Sequence, residues 1–99
     1  MLVGYVRVST DDQNLNLQKD ALLKFGVDER NIFSDKTSGS KDKRVGLDKA
    51  IEFLKDGDTL VVWKLDRLGI SLAHLISIIT SLKNRNISFI SITEGMDTT

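Results

Sequence analysis

The chain has 99 residues, enough for one domain with a real core, and its 14 basic and 14 acidic side chains cancel. A neutral chain lacks the basic footprint of an autonomous nucleic-acid binder, so any such contact must come from a local cluster or from a part of the protein not present here. With no cysteine and a single histidine, His74, disulfides, thiolate zinc sites, His-based metal sites and a Ser-His catalytic pair are all disfavoured.

Leu2 to Val8 is a β-branched, apolar run with little polar relief before Arg7, as expected of a strand covered on both faces. It ends on Ser9, Thr10, Asp11 and Asp12, a helix-start signal of capping hydroxyls and first-turn carboxylates. Arg7 and Ser9 share a side of the strand, roughly 6–7 Å apart. Ser9 therefore reads either as an N-cap or as a hydroxyl beside a guanidinium at a strand's carboxyl end, the edge where open α/β sheets bind ligands.

Asp12 to Phe25 has helical spacing, with Leu15, Leu22 and Phe25 in one stripe, Leu17 and Ala21 widening it, and Gly26 as the stop. Gln18 falls inside that stripe, either as a hydrogen-bonded buried group or as a residue facing a site. Asn31 to Ser34 is a short second strand, followed by a polar, cationic stretch from Asp35 to Arg44 that reads as a mobile loop able to close over an anion. Leu47 to Leu54 is a second helix on Leu47, Ala50, Ile51 and Leu54. Asp56 to Asp58 is a turn, and Thr59 to Trp63 a third apolar strand that empties into Lys64 to Gly69.

A longer helix runs from Leu72 to about Lys83 on Leu72, Leu75, Ile76, Ile79 and Leu82, with His74 off the stripe and exposed. Ile87 to Ile92 alternates as a fourth strand, Ile87, Phe89 and Ser91 against Ser88, Ile90 and Ile92. Glu94 to Thr99 trails off. This alternation predicts right-handed crossovers and an α/β fold: a mostly parallel four- to five-stranded sheet flanked by helices. All strands then present their carboxyl ends on one edge, where Ser9, the Lys36 to Arg44 loop, Lys64, Asp66 and Arg67 converge. A serine among several cations, with no phosphate-binding glycine-lysine loop, no dinucleotide-binding glycine pattern and no histidine base, fits phosphoryl transfer to a protein hydroxyl. No apolar stretch reaches membrane-spanning length and no signal-peptide pattern opens the chain, so a soluble, cytoplasmic protein is expected.

Tyr5-Val-Arg-Val-Ser-Thr10, Asp12-Gln13, Leu17-Gln18, Arg44-x-Gly-Leu47 and Leu65-Asp-Arg-Leu-Gly69, in that order, resemble the catalytic domain of the serine site-specific recombinases, the resolvase/DNA-invertase family. The resemblance covers essentially residues 1–99, including Gly57-Asp58 and the Met96-Asp97-Thr98 ending. It implies that Ser9 is a nucleophile that takes a DNA 5′-phosphate and releases a 3′-hydroxyl, and that Arg7, Arg44 and Arg67 hold the scissile phosphate. It further implies that Gln13, Gln18 and Asp66 position those groups, that Tyr5 supports them, and that Lys43 joins the DNA contact. No metal, ATP or other cofactor is needed, because the phosphoserine link conserves the bond energy. The implied partners are DNA and, for a full-length member, further copies in a homodimer or tetramer, with no membrane.

The chain departs from the family pattern in two places. Position 70 is Ile where the pattern continues with Arg, and the usual proline between Arg44 and Gly46 is Val45. It also stops before the family's long dimerisation helix and helix-turn-helix DNA-binding domain. The expectation is therefore a catalytic core, a fragment open to being monomeric and inactive. Two alternatives stand beside recombination: a non-catalytic relic or regulatory module of the same fold, and a receiver-like phosphoacceptor domain with Asp11 and Asp12 as its acidic pair.

Overall fold

The structure, a computed structural model, describes residues 1–8, 15–36, 45–64 and 72–97. Strand β1 (Leu2–Val8) leads to helix α1 (Leu15–Phe25), a single 3₁₀ turn (Glu29–Asn31) and β2 (Ile32–Lys36). Helix α2 (Val45–Phe53), β3 (Thr59–Val62), α3 (Leu72–Asn84), β4 (Ser88–Ser91) and β5 (Met96–Asp97) complete it. The sheet order is β2-β1-β3-β4-β5; the first four strands are parallel and β5 runs antiparallel to β4. The predicted α/β class and mostly parallel sheet are observed.

Strand parity divides the core in two. Val3, Tyr5, Leu60, Val62 and Phe89 pack against Leu47 and Ala50 of α2, Leu54 just past its end, and Ile78 and Leu82 of α3. On the other face, Val6 and Val61 pack against Leu22 of α1 and Val27. Each such fully buried aliphatic side chain contributes about 1.5–3 kcal/mol relative to exposure. Gly4 permits the close approach of α1, since a Cβ there would lie 2.9 Å from Leu22 Cδ1.

Both α1 and α3 end in the same way. Gly26, at φ 117°, donates to the Leu23 carbonyl while Val27 donates to that of Leu22. Asn86, at φ 59°, donates to Lys83 while Ile87 donates to Leu82. This crossed pair satisfies helix carbonyls that would otherwise be orphaned, and it needs a left-handed residue that Gly or Asn supplies. The Arg85 guanidinium then closes the end of α2, donating to the carbonyls of Ile51 and Leu54 at 3.0 and 2.8 Å.

Several expectations are corrected. On α1, Leu17 and Phe25 are exposed, because the helix meets the sheet on a narrower stripe than its apolar residues suggest. On α3, Ile76 is exposed and Ile78 takes the inward place; with apolar residues on adjoining positions, spacing alone did not fix the helix's rotation. His74 is half-buried rather than exposed. Asp35 and Lys36 belong to β2 and not to a loop, the third strand stops at Val62, and the tail from Glu94 turns back to form β5. The alternation in β4 is as expected, with Ile87, Phe89 and Ser91 buried and Ser88, Ile90 and Ile92 half-buried. Among the described residues, no helix is long and apolar enough to cross a membrane.

Candidate functional site

The carboxyl edge of the sheet is built around the end of β1. Arg7 is the register partner of Asp35 on β2, and Tyr5 that of Phe33 on one side and Val62 on the other. Tyr5, Arg7 and Asp35 therefore face the same side of the sheet, the side covered by α2 and α3.

Pairing between β1 and β3 stops at Tyr5, which would leave the backbone of Arg7 short of partners. Gln18 supplies them. Its Oε1 accepts from the Arg7 N–H at 3.3 Å and its Nε2 donates to the Arg7 carbonyl at 3.1 Å. The side-chain amide thus imitates a further residue of the ladder. Of the two alternatives open for Gln18, the buried, hydrogen-bonded one is realised, and its effect is to pin the main chain that carries Arg7. The Arg7 side chain is half-buried, with Nε shielded from solvent.

Asp35 escaped the sequence reading of the site. Its Oδ2 accepts from the Tyr5 hydroxyl at 2.8 Å and from the Leu47 N–H at 3.0 Å, and its Oδ1 accepts from the Gly46 N–H at 2.8 Å. A carboxylate on β2 therefore caps the first turn of α2 from outside that helix, where the positive end of the helix favours it. Gly46 is needed for the approach: a Cβ there would sit 2.3 Å from the Ser34 carbonyl oxygen. The available signal was an acid closing a strand ahead of a Gly-Leu helix start, but the two lie eleven positions apart, far outside a local capping pattern.

The exit of β3 is also held. The Trp63 carbonyl accepts from the Thr93 N–H at 2.9 Å and from the Thr93 hydroxyl, and the Lys64 ammonium lies 4.8 Å from the centre of the Trp63 ring. Ser91, buried on the same face as Tyr5, donates to Glu94. Among the described residues, no group of three or more His, Asp or Glu side chains is gathered as metal ligands.

Of the residues singled out from sequence, Gln18 and Arg7 are joined through the Arg7 main chain near the end of β1, and Tyr5, two positions earlier, is bonded to Asp35 on the face covered by α2 and α3. Ser9, Gln13, Lys43, Arg44, Asp66, Arg67 and Ile70 lie outside the described residues, as does most of the loop expected to be mobile. The receiver-like alternative requires a fifth parallel strand followed by a lysine; β5 is antiparallel and two residues long.

Comparison with known proteins agrees with this fold. The family described as "Resolvase, N terminal domain" matches residues 2–99. The serine recombinase gin of Escherichia phage Mu is 55% identical over 98 residues, covering 99% of this chain and 50% of that protein. The DNA-invertase hin of Salmonella typhimurium is 48% identical over 96 residues, covering 97% and 50%. The chain spans about half the length of the curated relatives it matches. Among solved structures, the N-terminal catalytic domain of TP901-1 integrase superposes with a TM-score of 0.78 at 29% identity, covering 98% of this chain and 80% of that one. A resolvase family site-specific recombinase from Streptococcus pneumoniae, at 23% identity and a TM-score of 0.73 over 98% of this chain and 74% of that one, shares the fold.

Proposed function

The chain belongs to the resolvase family of serine recombinases, and from that premise we propose that it cleaves and rejoins DNA at a specific site through a phosphoserine intermediate on Ser9. The Ser9 oxygen attacks the phosphorus of a phosphodiester, forming an O–P bond as the bond from phosphorus to the 3′ oxygen breaks. The serine proton is lost, the departing 3′ oxygen gains one, and the 5′ phosphate stays on the protein. Attack by a 3′-hydroxyl reverses the step and rejoins a strand. One phosphodiester-like bond replaces another throughout, so neither ATP nor a metal is required by the balance.

In this scheme Arg7, Arg44 and Arg67 neutralise the phosphate, whose charge grows on the way to the pentavalent transition state. Asp66 and Gln13 orient those groups, and Lys43 adds a contact to the DNA backbone. DNA is the partner, and strand exchange between two sites calls for a dimer or tetramer of the complete protein in the cytoplasm. The observation that carries the proposal is the pinning of Arg7 by Gln18 at the carboxyl end of β1. Arg7 is two positions before Ser9 in the chain, so a pinned main chain carrying a guanidinium precedes the candidate nucleophile at the ligand-binding edge.

The test joins residues 1–99 to the C-terminal half of the Salmonella invertase and supplies that protein's DNA site, with and without Ile70→Arg. Covalent protein–DNA adducts trapped under denaturing conditions are expected, attached through Ser9 and lost in Ser9→Ala. Adducts persisting in Ser9→Ala would overturn the assignment. One observation favours a second reading, a recombinase fold without catalysis: Ile70 stands where the family pattern has arginine. Adducts seen only with Ile70→Arg would support it.

A further inference from the structure

We propose that Asp56-Gly57 is a latent site of isoaspartate formation and that Asn86 is the clasp that holds it shut in the folded chain, whether or not the chain acts on DNA. It is the one Asp-Gly pair in the 99 residues, and there is no Asn-Gly pair. A glycine after an aspartate leaves the main-chain nitrogen free of a neighbouring Cβ, so that nitrogen reaches the side-chain carboxyl with least obstruction. In the reaction the Gly57 nitrogen attacks Cγ of the protonated Asp56 carboxyl. A C–N bond forms, the nitrogen gives up its proton, and the carboxyl hydroxyl leaves as water. The cyclic imide then takes water back at either carbonyl. Opening at the main-chain carbonyl leaves the backbone running through Cβ and Cγ, with a free α-carboxylate. One water is lost and one regained, so solvent is the only co-reactant.

The fold leaves both reacting groups at the surface but engages both. Residues 55–57 are exposed just before β3. Asp58 N–H donates to the Lys55 carbonyl at 2.9 Å, and Gly57 at φ 91° makes this a type II turn. The Gly57 N–H donates to the Asn86 carbonyl at 3.0 Å, and the Asn86 side-chain amide donates to Asp56 Oδ1. One residue therefore holds the nucleophile with its main chain and the electrophile with its side chain. For the imide to close, the Gly57 nitrogen must leave the Asn86 carbonyl and the Asp56 carboxyl must leave the Asn86 amide. Asn86 is itself fixed, because its left-handed backbone ends α3.

Isomerisation would lengthen the main chain by one atom inside this turn. The turn is also closed by Asp58 Oδ2, which accepts from the Lys55 N–H at 2.9 Å. A longer chain strains both closing bonds and disturbs the entry to β3, whose Thr59 is the register partner of Leu2 and of Ser88. The damage thus falls on stability, at the end of the sheet opposite Arg7.

The test follows residues 1–99 during prolonged incubation at neutral pH, folded and in concentrated urea. Isoaspartate is located by peptide mapping and counted by methyl transfer from S-adenosylmethionine with an isoaspartate-specific methyltransferase. It is expected at Asp56 in urea, and more slowly in the folded chain by more than about 10-fold, since the turn must first open. Asn86→Gly keeps the left-handed backbone and its carbonyl and removes only the side-chain amide. It should speed the reaction in the folded chain by about 2–10-fold, the share of one hydrogen bond in the opening. Amide exchange at Gly57 should quicken by the same factor, with exchange at Val61 unchanged. Ile78→Val weakens the core away from the turn and should leave the rate at Asp56 as in the parent. No isoaspartate at Asp56 in urea would refute the site, and equal rates in folded parent and urea would refute the shutting. Equal rates for Asn86→Gly and parent, or an equal acceleration by Ile78→Val, would overturn the role of Asn86.

Discussion

The buried amide of Gln18 pairs with both backbone groups of Arg7, taking over at the point where the ladder between β1 and β3 ends. A side chain on α1 thereby finishes a strand that the sheet itself leaves incomplete.

This pairing makes a direct prediction. Gln18→Leu keeps volume and removes both partners, leaving a buried N–H and carbonyl unsatisfied. The expected loss is about 1–3 kcal/mol of folding stability, read from the midpoint of a denaturant titration. Gln18→Glu should be no better at neutral pH, since the acceptor survives but the donor is lost and a charge is buried. A Gln18→Leu protein as stable as the parent would mean that other groups already satisfy Arg7.

Much of this fold was legible from pattern alone, because parity and spacing report what each element buries. Ile87, just before β4, and Phe89 and Ser91 on it are buried as their alternation implies, and so are Leu47 and Ala50 on α2 and Leu54 just past it. The failures have a common cause. Leu17 and Phe25 are apolar yet exposed, and of the two readings open for Gln18 the buried one is decided by a partner on another element, so in both cases tertiary placement and not local spacing sets the outcome. Asp35 was read as part of a solvated loop for the same reason: its ligands, Tyr5 and the start of α2, are remote in the chain. A two-residue strand such as β5 carries no periodicity to detect. Resemblance points to Tyr5, Arg7 and Gln18 without any periodicity; of these, Gln18 bonds the main chain of Arg7, and Tyr5 lies on the opposite face of the sheet from α1, bonded to Asp35.

Gly46 should tolerate no side chain. In Gly46→Ala the new methyl would lie 2.3 Å from the Ser34 carbonyl oxygen and 2.9 Å from Asp35 Oδ1, so α2 must retreat from β2. Overpacking of this kind costs about 1–3 kcal/mol. The retreat also stretches the bonds from Asp35, so exchange at Leu47 should accelerate beyond what the stability loss alone produces.

Arg85 offers a test away from the site. Its guanidinium bonds the carbonyls of Ile51 and Leu54, tying the end of α3 to the end of α2. Arg85→Met keeps much of the stem and removes both bonds, with an expected cost of about 0.5–1.5 kcal/mol at an exposed position. Arg85→Lys should recover only part of it, because an ammonium lacks the planar fork that reaches two carbonyls at once. Cleavage by the invertase fusion should be unchanged in both variants at temperatures well below unfolding.

Ile70 is expected to limit catalysis. It stands three positions after Arg67, and residues at that spacing share a face in helical or turn geometry. An arginine at position 70 would bring a second guanidinium toward the phosphate that Arg67 is proposed to hold, whereas isoleucine brings neither a donor nor a charge. Loss of one preorganised donor typically costs about 10²–10³ in rate, or about 2.7–4 kcal/mol of transition-state stabilisation. The invertase fusion carrying Ile70→Arg should therefore cleave its site faster than the Ile70 parent by a factor of that order, at DNA concentrations that saturate both. Ile70→Lys, with charge but no fork, should fall between them, and Ile70→Leu should match the parent. Equal rates for Ile70 and Ile70→Arg would show that another cation, of which Lys64 at the exit of β3 is the nearest in the chain, already fills the role.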